Sequence, residues 1–137
     1  AAETWTLKEA DRKRLLAFEM RCYRRIMKVN WRDKVTNDSI RKSLSREHTI
    51  IETFKLRKLR LFGHICRMDD SRLLKNIMLG TVEGNRPWGR PARRWSDDIV
   101  QWLGRPLPEA VHMAADRNAW NRIVENAGNG LKGSAEQ

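Results

Sequence analysis

Apolar residues recur three and four positions apart through most of this chain, and that spacing commits it to helices. Leu15, Phe18, Cys22, Ile26 and Val29 are separated by three, four, four and three residues. This is the repeat of one helix face, not the every-second-residue repeat of a half-buried strand. Thr6 and Glu9 have capping-box spacing ahead of it. The sequence therefore predicts a long helix from about Leu7 to Lys28, apolar on one face and strongly basic on the other. Asn30 to Asp33 breaks the pattern, and Thr36 has the position of a cap on a short helix carrying Ile40 and Leu44. Ser45 or Thr49 opens a second long helix, whose apolar set is Ile51, Phe54, Leu59, Phe62 and Cys66. Asp70 or Ser71 caps a helix through Leu73, Leu74, Ile77 and Met78.

The composition changes from Gly80 to Pro91, where three glycines and two prolines cannot sustain a helix. This stretch reads as a basic loop, with room for one short hairpin around Leu79 to Val82. Pro91 starts a helix over Ala92 to Leu103 that buries Trp95, Ile99, Trp102 and Leu103 and stops at Gly104. Pro108 begins a short helix through Val111 and Ala115. Asp116 caps the last one, along which Trp120, Ile123, Val124 and Ala127 align before Gly128. The expected fold class is all-α, a compact bundle of five to seven helices with a basic Gly/Pro/Arg loop. It forms one domain over residues 1–127, followed by a flexible tail over 128–137.

Charge bounds the function. The 28 Lys and Arg residues stand against 17 Asp and Glu, a formal net charge of +11 in 137 residues, which suits a polyanionic partner. Residues 1–70 carry 18 basic and 10 acidic side chains, residues 71–105 carry 7 and 3, and residues 106–137 carry 3 and 4. The last third is thus the part least suited to a polyanion. No apolar run approaches membrane-spanning length, and Ala1 to Lys8 has neither the basic nor the apolar region of a secretory signal. Two cysteines, Cys22 and Cys66, make no disulfide framework and point to a reduced intracellular compartment, nuclear or cytoplasmic.

Little in the sequence suggests catalysis. Asp69 and Asp70 superficially match the paired carboxylates with which polymerases hold two metals. They follow a basic helix and precede Ser71, however, which favours a helix-terminus role. Asp97 and Asp98 fall in the first turns of a helix, where negative charge is favourable. Cys22, Cys66, His48 and His64 lack zinc-site spacing, and the two cysteines read as core residues. No Gly-rich phosphate loop is present. No cofactor or metal is expected.

What remains is the run Arg86-Pro87-Trp88-Gly89-Arg90-Pro91-Ala92-Arg93-Arg94-Trp95, four arginines and two tryptophans without an acidic residue. Guanidinium forks grip phosphates, and tryptophan faces stack on bases. Arg86, Trp88, Arg90, Arg93 and Arg94 are the primary candidate nucleic-acid ligands, whereas the periodicity assigns Trp95 to the core. Lys55, Arg57, Lys58 and Arg60 on the second long helix form a second candidate set.

Several strings, in order, resemble a known family. They are Glu3-Thr4-Trp5-Thr6-Leu7, Phe18-Glu19-Met20 with Arg24-Arg25-Ile26, Leu59-Arg60-Leu61-Phe62-Gly63-His64, Met78-Leu79-Gly80 with Glu83-Gly84, Gly89-Arg90-Pro91 with Arg94-Trp95, and Asp116-Arg117 with Trp120. Together, from about Glu3 to Val124, they resemble the carboxy-terminal part of non-LTR retrotransposon (LINE) reverse transcriptases, especially RTE-like and related clades. The resemblance implies a non-catalytic accessory domain that holds element RNA or target DNA during target-primed reverse transcription. The polymerase palm motifs, the endonuclease and the terminal cysteine knuckle of related elements are absent, so the sequence resembles an excised or domesticated fragment. The rival expectation is a protein-interaction or scaffolding module, packing on the reverse-transcriptase core or repurposed by a host, with Trp120 in the docking surface. A polymerase fragment with residual catalysis is a third reading, and the missing third carboxylate argues against it.

Overall fold

The computed structural model describes residues 2–46, 48–80 and 93–129. Among the described residues run seven α-helices and no strand: α1 (Glu9–Ile26), α2 (Asn37–Ser43), α3 (Ile50–Cys66), α4 (Leu73–Leu79), α5 (Asp97–Leu103), α6 (Leu107–Ala115) and α7 (Arg117–Asn129). Short 3-10 turns lie at Ala2–Thr4 and Trp31–Asp33. The all-α expectation of five to seven helices holds. Of the hairpin region, Leu79 closes α4 and Val82 lies outside the described residues, as does most of the basic loop.

Where the sequence predicts a single domain over 1–127, the chain divides into two compact units. One is Leu7–Lys55; the other joins the first six residues to everything from Leu56 onward. Helix α3 supplies residues to both.

In the Leu7–Lys55 unit the long amphipathic helix forms, but its most buried side is displaced from the expected stripe, of which Leu15 and Cys22 are half-buried. Its buried residues are Glu19 and Met20, flanked by half-buried Leu16, Tyr23 and Met27. Phe18 is 57% exposed and Ile26 69%. Two apolar stripes compete on this helix, and hydrogen bonding favours the second. Buried Glu19 accepts the Tyr23 hydroxyl at 3.1 Å and the Ile50 backbone N–H at 2.9 Å, the latter one of the amides that the first turn of α3 leaves without an intrahelical partner. The Thr6–Glu9 cap does not form either. Lys8 is the N-cap residue, without a side-chain cap. The Asp70 or Ser71 cap expected for α4 is absent too, since Arg72 is its N-cap residue and makes no side-chain cap. The caps at Thr36 and Thr49 follow the sequence. Thr36 accepts the Ser39 N–H at 3.2 Å. Thr49 and Glu52 make a reciprocal box, with Glu52 N–H to Thr49 Oγ1 at 3.2 Å and Thr49 N–H to Glu52 Oε2 at 2.6 Å.

The second unit is built around Leu59, Phe62 and Cys66 of α3, Ile99 of α5, Ala110 and Ala114 of α6, and Trp120 and Val124 of α7. The small alanines let α6 approach closely, and Phe62 meets Trp120 at a centroid distance of 5.5 Å. Trp95 packs against this cluster as expected, but from the turn before α5 and not from within it, because the helix expected over Ala92 to Leu103 begins at Asp97 among the described residues. Its indole N–H donates to the Glu3 carbonyl at 2.9 Å. Gly104 ends α5 with φ 64°, a left-handed conformation that glycine adopts without steric cost. Asp116 Oδ1 accepts the Asn118 and Ala119 N–H groups at 2.8 and 3.2 Å and so caps α7.

Candidate nucleic-acid interface

Of the primary candidates, Arg86, Trp88 and Arg90 lie outside the described residues. Arg93 and Arg94 lie before the Trp95–Ser96 turn that leads into α5 and are exposed. Arg94 carries no side-chain bond among the described residues; its backbone N–H donates to Asp97 Oδ2 at 2.7 Å. Arg93 is engaged. Its Nε and Nη2 donate to Asp98 Oδ1 at 2.9 and 2.6 Å, and Nη2 also reaches Gln101 Oε1 at 2.5 Å. With Asp98 fully buried, this fork neutralises an internal carboxylate, leaving less of it for a phosphate.

The second set divides along the helix. Arg57 and Arg60 are exposed on α3. Lys55 is half-buried, and burial pushes its ammonium below the ordinary range, with Glu52 partly offsetting this. Lys58 requires a correction: it is completely buried. Its ammonium donates to Asp98 Oδ2 at 2.5 Å and to the Trp5 carbonyl at 2.9 Å. It also lies 4.8 Å from the Trp95 ring centroid and 5.7 Å from that of Trp102, within cation–π range. Lys58 is an internal ion-pair partner and no phosphate ligand. Trp120, the residue expected in a protein-docking surface, is likewise buried at 1% exposure.

All four paired aspartates have structural roles. Asp69 Oδ1 accepts the Ser71 N–H at 2.9 Å, which shapes the turn before α4, and the Ser71 hydroxyl together with that N–H holds the carboxyl below its usual value. Asp70 pairs with Lys75 at 2.6 Å, Asp97 accepts from Arg94, and Asp98 from Lys58 and Arg93. Among the described residues no three His, Cys, Asp or Glu side chains converge on a common metal position. Cys22 is half-buried and Cys66 buried.

The strongly basic side expected of the first long helix lies on α1, apart from both candidate sets. Arg14, Phe18, Arg21 and Arg25 follow one another at intervals of four, three and four, so they share one side of the helix, and all four are exposed. Arg14 makes only a loose 3.9 Å contact with Asp11. The guanidinium groups of Arg21 and Arg25 have no ion pair or hydrogen bond among the described residues. Arg24, by contrast, is tied to the Val35 carbonyl and Asn37 at 2.8 and 3.0 Å. The unit containing α1 holds 14 basic and 7 acidic residues, a net +7 out of the chain's +11. The sequence already marks one side of this helix as strongly basic, and the spacing of Arg14, Arg21 and Arg25 identifies its residues.

No described helix is long and apolar enough to cross a membrane. Comparison of the chain with protein-family models, with curated proteins and with solved structures finds no match.

Proposed function

We propose that this chain binds RNA or DNA through phosphate contacts and has no catalytic activity of its own. The observation that carries this reading is the exposed Arg14–Arg21–Arg25 face of α1, in a unit of net charge +7. Charge of one sign on a single face attracts a polyanion and releases its counterions on binding. Arg57, Arg60 and Arg94 add exposed guanidinium groups in the other unit. The engagement of Asp69, Asp70, Asp97 and Asp98 in turns and ion pairs supports the non-catalytic part. With the ordered sequence resemblance, the reading extends to an accessory domain of a LINE-type reverse transcriptase, holding element RNA or target DNA during target-primed reverse transcription in the nucleus or cytoplasm. A salt-titrated binding assay with single-stranded RNA, duplex RNA and duplex DNA tests it. Affinity should fall steeply as salt rises, and absence of binding to all three overturns it.

A second reading, a module that docks on the polymerase core or on a host protein, is favoured by α4. Leu73 is 73% exposed, Leu74 45% and Ile77 58%, an apolar group of the kind that marks protein contacts. Co-purification with a reverse-transcriptase core, lost on Leu73→Ser with Ile77→Ser while nucleic-acid affinity is unchanged, is the outcome that reading requires.

A further inference from the structure

The turn that follows α1 presents a tryptophan to solvent. Trp31 is 79% exposed, the highest value among the exposed large hydrophobic side chains described. An indole left this open forgoes the burial that usually accounts for tryptophan in a folded chain. The turn is nevertheless well defined. Asn30 Oδ1 accepts the Trp31 N–H at 2.7 Å, and Asp33 Oδ2 accepts the Asn30 N–H at 2.7 Å, a reciprocal capping box around Trp31–Asp33.

Charge surrounds the ring. The Arg32 guanidinium carbon lies 5.7 Å from the Trp31 ring centroid, and an arginine covers one face of an indole while leaving the other open. Lys28 and Lys34 bracket the turn, with φ values of 54° and 50°. Both adopt the left-handed region, which a lysine occupies only at a steric cost. Asp33, the one acidic residue from Lys28 to Lys34, is occupied by the capping box. Arg25, in the last turn of α1, carries the basic face toward this turn along the chain.

We infer that Trp31 is a stacking platform for an unpaired base, with Lys28, Arg32 and Lys34 holding the adjacent phosphates, so that this unit engages single-stranded RNA or DNA. The inference rests on the nucleic-acid reading above and makes it specific. A duplex offers phosphates but hides its base faces, whereas a single strand offers both. Stacking on an aromatic ring is tolerant of sequence, and arginine and lysine then follow the backbone.

The test measures fluorescence anisotropy of the whole chain with labelled single-stranded RNA, single-stranded DNA of the same sequence, and the matching duplex DNA. Trp31→Ala should weaken single-strand binding by between about five- and a hundredfold, while changing duplex affinity less than about twofold and leaving thermal unfolding unaltered. Trp31→Phe should retain most of the single-strand affinity. The ratio between the RNA and DNA arms identifies the preferred strand. Unchanged single-strand affinity in Trp31→Ala overturns the platform, as does equal weakening on strand and duplex. If wild type binds duplex and loses affinity on Arg21→Ala with Arg25→Ala while Trp31→Ala has no effect, the phosphate reading survives without the platform. A wild type that binds none of the probes overturns both.

Discussion

Trp120 lays its indole against the backbone of Gly63. A Cβ placed on Gly63 would stand 2.3 Å from Trp120 Nε1 and 2.4 Å from Cδ1, and the same Nε1 donates to the Leu59 carbonyl at 3.0 Å. Leu59 lies one helical turn before Gly63, so α3 gives the indole both an acceptor and the space to reach it. The glycine is required by the approach of a side chain, in the middle of a helix where alanine is otherwise preferred.

Gly63→Ala accordingly opposes two effects. Helix propensity alone favours alanine by about 1 kcal/mol. Overpacking costs about 1–3 kcal/mol, and displacing Trp120 also forfeits a buried hydrogen bond of about 1 kcal/mol. The steric terms win, and the expected net result is a destabilisation of about 1–3 kcal/mol in denaturant unfolding. An alanine variant as stable as wild type would mean that Trp120 repacks freely.

A second substitution separates structural from functional cations. Lys58→Met leaves Asp98 with Arg93 as its remaining partner of those described above. Breaking a buried pair from one side costs about 3–5 kcal/mol. Lys58→Met with Asp98→Asn should recover part of that loss, because no buried carboxylate is then left short of a partner. Nucleic-acid affinity of the folded fraction should stay within about twofold of wild type. A stable Lys58→Met protein that has lost its affinity would return Lys58 to the binding surface.

These residues also show where sequence reasoning ends. Thr36, Gly104, Pro108 and Asp116 act over a few residues, so their caps and stops are readable without the fold. The existence of α1 is equally local, but the choice between its two apolar stripes depends on Glu19 meeting the first amide of α3, thirty-one residues away. Lys58 gave a partial signal. It stands four residues after Phe54 and four before Phe62, in the apolar stripe of α3, while Arg57 and Arg60 fall on the other side. What makes a lysine tolerable there is Asp98, forty residues on, a pairing invisible to periodicity. The arginine face of α1 was legible in its four-three-four spacing; the exposure of Trp31 was not, because a tryptophan in a turn reads equally well as an anchor.

The α1 face has a quantitative signature in salt. Arg21 and Arg25 are exposed and unpaired among the described residues, so Arg21→Ala with Arg25→Ala should leave the melting temperature unchanged. Each lost phosphate contact removes about 0.9 from the log–log salt slope on duplex DNA and about 0.7 on a single strand. The double variant should therefore flatten the slope by about 1.8 or about 1.4, respectively. Affinity reduced with the slope intact would show that these arginines act without neutralising phosphates.

Cys66 ties the second core to alkaline pH. Burial pushes its thiol from an ordinary 9.0 up to about 11, with Lys75 and Arg67 pulling the other way. In the unfolded chain the thiol ionises near its ordinary value, so between about pH 9 and 11 the unfolded state holds fewer protons than the folded one. Stability then falls as pH rises; the contribution is complete below pH 9 and lost through 11. The thiol's share of this loss is about 1–3 kcal/mol. Other groups titrate in the same range, so the measurement is a comparison: urea unfolding of wild type and Cys66→Ala at successive pH values. The alanine variant starts less stable at neutral pH because a buried side chain is shortened, and the gap should narrow steadily above pH 9. A gap constant from pH 8 to 11 would show that the Cys66 thiol ionises alike in both states and is not sealed within the α3–α7 core.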